Sequence, residues 1–271
     1  MKDRMWFVVF VFCLTSCGNN GKMPEMSEAL TGNWLLLYPD HDTRTKAQNA
    51  FYASAQDSLV RLMGLKLVSF KPGGIFLQMD SLFTSSGRWE LNTNEVSVKN
   101  GGTGWEQFNG RLIGFIKDSL RMVEYIHFND DSVRVVWVLK KIRDDARASS
   151  LFEEAENRWR EKPVRPQTDA ELRNKLKQML KYYSLYYELV SRESIYFTGS
   201  RVMLPFQYYQ HGTGLMPYDE KHPFNRLFYN TADARRAYTM LEEIFDTENF
   251  PAGKDYVIEY AVFMKRLAEK L

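Results

Sequence analysis

Residues 119–141 read SLRMVEYIHFNDDSVRVVWVLKK, two apolar-rich runs of strand-forming residues around Asn129-Asp130-Asp131. Val, Ile, Tyr and Trp in alternation on either side of an Asn/Asp turn is the pattern of a β-hairpin. With Asp130-Asp131 as the loop, Val123 faces Val138 and Tyr125 faces Val136 on one side of the ribbon. The other side carries Leu120, Met122, Ile126 and Phe128 with Val133, Val135, Trp137 and Leu139. Both sides are largely apolar, and only one of them can face an interior, so the other needs a cover. Glu124 is the odd member of the second, inward stripe.

Working outward, the same kind of run recurs at Thr31–Tyr38, Leu65–Phe70, Ile75–Asp80, Gly87–Leu91, Glu95–Lys99 and Arg111–Ile116. The breaks are turn-forming: Lys71-Pro72-Gly73-Gly74, Asn92-Thr93-Asn94, Asn100-Gly101-Gly102 and Lys117-Asp118. Together these make eight strands in sequence. Eight strands in an antiparallel meander can close into a barrel, which removes the open edges of a sheet. Between the first two strands, Asp40 to Met63 has a helical period, with Ala47, Ala50, Phe51, Leu59 and Leu62 near one face. That insertion either caps one end of the barrel or leaves the sheet open there.

Gly32-Asn33-Trp34 on the first strand matches a G-x-W motif, and Phe70–Gly74 and Gly87–Leu91 follow as hairpin elements. Over residues 30–142 the chain resembles the lipocalin-like domains of bacterial lipoproteins. The resemblance implies an eight-stranded barrel (residues 30–145) holding a small apolar ligand without catalysis. The ligand-binding residues expected are Trp34, Arg111, Met122, Glu124 and Trp137. With Lys117-Asp118 as the turn, Arg111 lies opposite Glu124. The pair is then either a structural ion pair near the barrel mouth or the polar group that orients a ligand.

The beginning of the chain supports the same family. Lys2 and Arg4 precede the apolar run Met5–Phe12, which is too short to span a bilayer as a helix. This is the layout of a secretory signal peptide, residues 1–16. Leu14-Thr15-Ser16-Cys17 resembles the lipobox of bacterial lipoproteins, which implies lipidation at Cys17 and a membrane tether; an ordinary signal cleaved near Ser16 is the alternative. Residues 17–29, opening with Gly18-Asn19-Asn20-Gly21, read as a flexible tether. The location expected is the periplasmic face of the outer membrane.

After residue 145 the period becomes helical, which indicates a separate all-α domain over residues 146–271. Ser149 and Ser150 cap a helix to about Lys162, ended by Pro163 and Pro166. Thr168-Asp169-Ala170-Glu171 is a capping box, and Leu172, Leu176, Met179, Leu180, Tyr183 and Tyr187 form one stripe behind it. Two more helices run from Thr231 to about Phe245 and from Lys254 to Leu271. Between them and the long helix lies a 199–230 loop rich in aromatic residues. Phe206, Tyr208, Tyr209 and Tyr218 either contact an envelope protein or form the loop's own small core.

Charge is even along the chain: 15 basic and 15 acidic residues in 22–145, 19 and 18 in 146–271. No basic face follows, which argues against nucleic acid as a partner. Both cysteines, Cys13 and Cys17, lie at the start, so the rest of the chain has no thiol for a disulfide, a zinc thiolate site or a nucleophile. The four His are scattered, and no nucleotide-binding, serine-hydrolase or zinc-protease motif is present. The expectation is a protein with no cofactor and no metal, not an enzyme. It acts either by holding an apolar ligand in the barrel or, with a barrel filled by its own side chains, through contact with a partner.

Overall fold

The computed structural model describes residues 22–37, 66–79, 84–100, 107–116, 118–128, 131–193, 215–221, 223–248 and 256–271. Leu14–Cys17, the helix expected over 40–63, and Phe206, Tyr208 and Tyr209 lie outside them.

Eight strands form one closed antiparallel barrel in sequence order: β1 (Gly32–Leu37), β2 (Lys66–Lys71), β3 (Ile75–Met79), β4 (Thr84–Asn92), β5 (Glu95–Lys99), β6 (Gln107–Ile116), β7 (Ser119–Phe128) and β8 (Asp131–Lys141). The first strand pairs with both β2 and β8, so the sheet does not open beside the insertion. Turn chemistry sets the hairpins. Gly73 and Gly74 sit at φ 77° and 76°, a left-handed pair that glycine adopts without a Cβ penalty. Gly87 serves a different need: a Cβ there would lie 2.4 Å from the Lys99 carbonyl oxygen, so only glycine permits that strand approach.

The alternation of each strand separates two cores. Trp34, Leu36, Val68, Phe70, Phe76, Trp89, Val98, Phe108, Met122 and Trp137 point inward and pack on one another. On the outside of the barrel, Leu35 pairs with Leu67 and Leu67 with Met79, a row running across β1, β2 and β3. Those three, with Ile142, join the core of the helices. The helices thus cover the outside of β1–β3; on the β7–β8 ribbon the outward-facing Val123 and Val136 are buried as well, while Tyr125 is exposed. The β7–β8 register differs from expectation. Met122 faces Trp137 and Val123 faces Val136, two residues from the expected pairing. Because side chains alternate with a period of two, the inward and outward sets are unchanged by that slip.

The expected tether of residues 17–29 is in part structured. Lys22–Leu30 form helix α1, and Leu30, fully buried, closes one end of the barrel with Met26 beside it. The Trp34 Nε1–H donates to the Leu30 carbonyl at 2.8 Å, fastening helix to strand.

Helix α2 (Asp145–Ser150) starts earlier than Ser149 because Asp144 caps it, its carboxylate accepting the Arg147 N–H. The helix expected to reach Lys162 is broken into α2, a short α3 (Glu154–Asn157) and a 3-10 turn, Arg158–Arg160. Beyond them α4 (Asp169–Glu193) follows the capping box as expected: the Thr168 N–H donates to Glu171 Oε2 at 2.8 Å and the Glu171 N–H to Thr168 Oγ1 at 3.3 Å. All six stripe residues of α4 are buried. With α5 (Thr231–Phe245) and α6 (Tyr256–Lys270) it encloses an aromatic core. The ring of Trp159 lies 5.4 Å from Tyr182 and 5.7 Å from Tyr183, and Tyr187 lies 5.5 Å from Tyr260.

Barrel and helices are joined by a polar contact. The Asn33 backbone N–H donates to Asp145 Oδ1 at 3.1 Å, and its side-chain amide donates to Asp145 Oδ1 at 2.9 Å, to the Asp145 carbonyl at 3.2 Å and to Ser149 Oγ at 2.8 Å.

Candidate functional site

Four of the five expected ligand-binding residues converge in the barrel. Trp34, Met122 and Trp137 are all buried, and Met122 stands directly across from Trp137. Glu124 also faces inward: the Trp137 Nε1–H donates to its Oε2 at 2.9 Å. Burial pushes this carboxyl above its usual range, opposed by the hydrogen bonds from Trp137 and from the Asn109 backbone.

Arg111 is the exception. A register shift between Leu112 and Gly114 makes Ile113 an extra residue in β6. Arg111 therefore lies opposite Val123 on β7 and Glu95 on β5, exposed, and not opposite Glu124. A slip of one residue reverses the face, so the expected Arg111–Glu124 pair does not form.

The two side chains thus have different expected roles in stability. Between the ordinary carboxylate pKa and the raised native one, the folded state binds a proton that the unfolded chain has released. Stability from Glu124 is then present at low pH and lost as pH rises through the native pKa. Glu124→Gln should match or exceed the parent in melting temperature at pH 7, since Gln still accepts from Trp137. That advantage should shrink in acid. Arg111→Met should stay within about 0.5 kcal/mol of the parent. A loss of several kcal/mol on Arg111→Met would restore the buried pair.

Aromatic rings pack on one another in part of the barrel interior. Phe70 packs edge-on against Phe76 at 5.2 Å and against Trp89 at 5.7 Å, and the Trp89 Nε1–H donates to the Lys71 carbonyl. Three cavities bordered by described residues lie elsewhere. One of 600 Å³ sits at the rim between α1, the Pro72–Gly74 turn and Trp89–Leu91. One of 550 Å³ lies among Arg147, Lys181, Glu188 and Lys265, and one of 390 Å³ beside Trp159 and Lys175.

No family model, curated protein or solved structure matches this chain. The closed eight-stranded meander is consistent with a lipocalin-like fold and compatible with ligand binding.

Of the expected contact residues, Tyr218 is within the described part of the loop. Its hydroxyl donates to Asn225 Oδ1, its ring lies 5.4 Å from Tyr238, and Arg235 stacks over it at 5.2 Å. Phe224 and Phe228 are buried with ring centroids 4.7 Å apart. These three rings pack the described part of the loop onto the helices.

The sequence pattern passed over Lys175. It lies three residues after Leu172, on the edge of the buried stripe, and is 8 % exposed. A lysine at that spacing was the available signal. Its Nζ donates to the Glu161 carbonyl at 2.7 Å, and burial pulls its pKa from 10.5 down to about 8, with Glu161 opposing. Between those values the unfolded chain binds a proton that the native state lacks, so stability from this group rises with pH from about 8 to 10.5. At pH 7 the buried charge is a cost. Lys175→Met should therefore stabilise the protein at pH 7 by about 2 kcal/mol, the Glu161 carbonyl losing its donor in the exchange. It should also flatten the alkaline rise, as followed by urea denaturation at pH 7, 9 and 10. A destabilised variant at pH 7 would contradict the cost.

Proposed function

We propose that this chain is a non-enzymatic, lipid-anchored protein of the cell envelope whose barrel is a filled scaffold and whose helical unit makes the functional contacts. The observation that carries this reading is the ring-on-ring packing of Phe70, Phe76 and Trp89 inside the barrel. Anchoring is through lipid on Cys17, at the periplasmic face of the outer membrane. An envelope protein is the partner, met through the helical unit and its loop residues Phe206, Tyr208, Tyr209 and Tyr218; nucleic acid is not a partner. A second reading, a small apolar ligand in the barrel, is favoured by the Glu124 carboxyl lying among Trp34, Met122 and Trp137 in an apolar interior.

Native mass spectrometry of the mature protein, extracted from membranes, separates the two. The filled scaffold gives the mass of the chain plus its lipid. A stoichiometric apolar molecule retained by the protein overturns it in favour of the second reading. Anchoring has its own test: Cys17→Ser should leave a soluble or unprocessed protein, and a processed variant that still sediments with membranes would show that Cys17 is not the anchor.

A further inference from the structure

One end of the barrel gathers apolar side chains that the fold leaves in water. It is the end where β1 begins and where α1 closes the mouth with Leu30. Register puts three turns at this end. Gly32 faces Phe70 just before the Pro72–Gly74 turn, Asn92 faces Glu95, and Ile116 faces Ser119, which in turn faces Lys140 near the end of β8. Past Arg111, which faces Glu95 at the start of β5, the β6 ladder continues with β7 alone. The bulge at Ile113 breaks the alternation in this projecting segment. Ile113, Phe115 and Ile116 are therefore all in solvent, 51 %, 38 % and 55 % exposed. The Phe115 ring, 6.5 Å from Trp34, ties the segment to the barrel mouth. Ile75, at the start of β3, is exposed at the same end. Of the five exposed large apolar residues on the described strands, these are four; the fifth, Tyr125, lies toward the other end of β7.

Connectivity says what can meet this end. The helices pack on Leu35, Leu67 and Met79, on β1–β3, across the barrel from β6. Residues 38–65, 80–83, 101–106 and 129–130 join strands at the opposite end. Besides Lys117 in the β6–β7 turn, the chain that enters the lidded end from outside the described residues is the stretch before Lys22. Cys17 lies five residues before Lys22, a reach of at most about 18 Å. From there α1, nine residues or about 14 Å long, leads onto the barrel mouth. A lipid on Cys17 holds the bilayer beside this end. Charge here is mixed: Glu28, Glu90 and Glu95 stand with Lys71, Lys140 and Arg143, and Asp118 lies within 4.0 Å of the last two. A contiguous exposed apolar patch marks a docking surface, and with charges of both signs around it the contact is apolar and needs no anionic lipid.

We propose that the lidded end of the barrel lies against the membrane that carries the Cys17 lipid, with Ile113, Phe115 and Ile116 set among its headgroups and upper acyl chains. The inference rests on the lipid-anchored reading above. A tether alone fixes distance and leaves orientation free; this second contact sets how the barrel stands on the bilayer.

After Cys17 the chain has no cysteine, so one introduced by substitution can carry an environment-sensitive dye alone. The full mature, lipidated protein is labelled at Ile116→Cys and reconstituted in phosphatidylcholine vesicles with and without doxyl-labelled lipid. Tyr125→Cys is the control, six residues or about 20 Å along β7 from Ser119. The dye at position 116 should shift to the blue and be quenched by the doxyl lipid, at low and high salt alike; the dye at position 125 should do neither. In a chain labelled at Phe115→Cys, Ile113→Ser with Ile116→Ser should remove the quenching while the protein still floats with the vesicles. A protein that does not float with vesicles overturns the anchor, and this inference with it. A protein that floats but whose dyes at positions 116 and 125 respond alike overturns this inference and leaves the anchor standing. A blue shift at position 116 that needs no lipid and grows with protein concentration assigns the patch to a second copy of the chain and overturns the membrane contact.

Discussion

Trp34→Ala is expected to lower the stability of the mature protein by about 3–5 kcal/mol, the range for removing a large aromatic side chain from a packed core. Trp34 is 1 % exposed, and its indole does three things. It fills the barrel beside Val68 and Leu36, it donates to the Leu30 carbonyl and so fixes α1 as the lid, and Lys141 Nζ lies 5.4 Å above its ring. Alanine leaves a cavity, an undonated carbonyl and a loose α1. Urea denaturation of parent and variant measures the difference. The size of the loss also bears on function. If Trp34 were the wall of an open ligand pocket, truncation would enlarge the pocket at a cost below about 1.5 kcal/mol, and the main effect would be on bound material. A small loss with the fold intact would therefore count against the filled scaffold.

Asn33→Leu should cost about 3 kcal/mol, because it removes the polar joint between barrel and helices while keeping the side-chain volume. Asn33 is 1 % exposed, and leucine cannot supply the amide that reaches Asp145 and Ser149. The Asp145 carboxylate, facing a methyl group, loses a charge-assisted bond. The apolar part of the joint, Leu35, Leu67, Met79 and Ile142, remains, so unfolding should stay a single transition at lower denaturant. A double-mutant cycle with Ser149→Ala should show coupling of at least about 0.5 kcal/mol. Additive losses, or a cost under about 1 kcal/mol, would mean that the joint is held by its apolar contacts alone. A chain cut to residues 22–145 exposes those four residues and should bind a hydrophobic dye.

The position of Asn33 shows how a motif was legible while its use was not. Gly32-Asn33-Trp34 marked a first strand, and alternation placed Trp34 inward. That Asn33 then bonds Asp145 and Ser149 of a helix over a hundred residues later follows from tertiary packing. The same division runs through the candidate site. Trp34, Met122, Glu124 and Trp137 were readable as one inward set, because each belongs to a strand with a strict period of two. Arg111 was misplaced because one extra residue, Ile113, lies between it and the turn used to count the register. The β7–β8 hairpin was misaligned by two residues without consequence for the faces. An even slip preserves them and an odd one reverses them.

Local pattern was enough for the elements: eight strands from alternation and turn residues, and the long helix from its capping box and stripe. These are local properties, set by side-chain sterics and by the patterning of apolar residues within a few positions. The three-dimensional structure set the rest: β1 closes on β8, α1 lids the barrel, and the helices cover the Leu35-Leu67-Met79 row. It also put the exposed Ile113, Phe115 and Ile116 at the end that α1 lids. Each of these depends on pairing between distant segments, where a hydrogen bond or a buried charge gains its energy from groups that the local sequence does not contain.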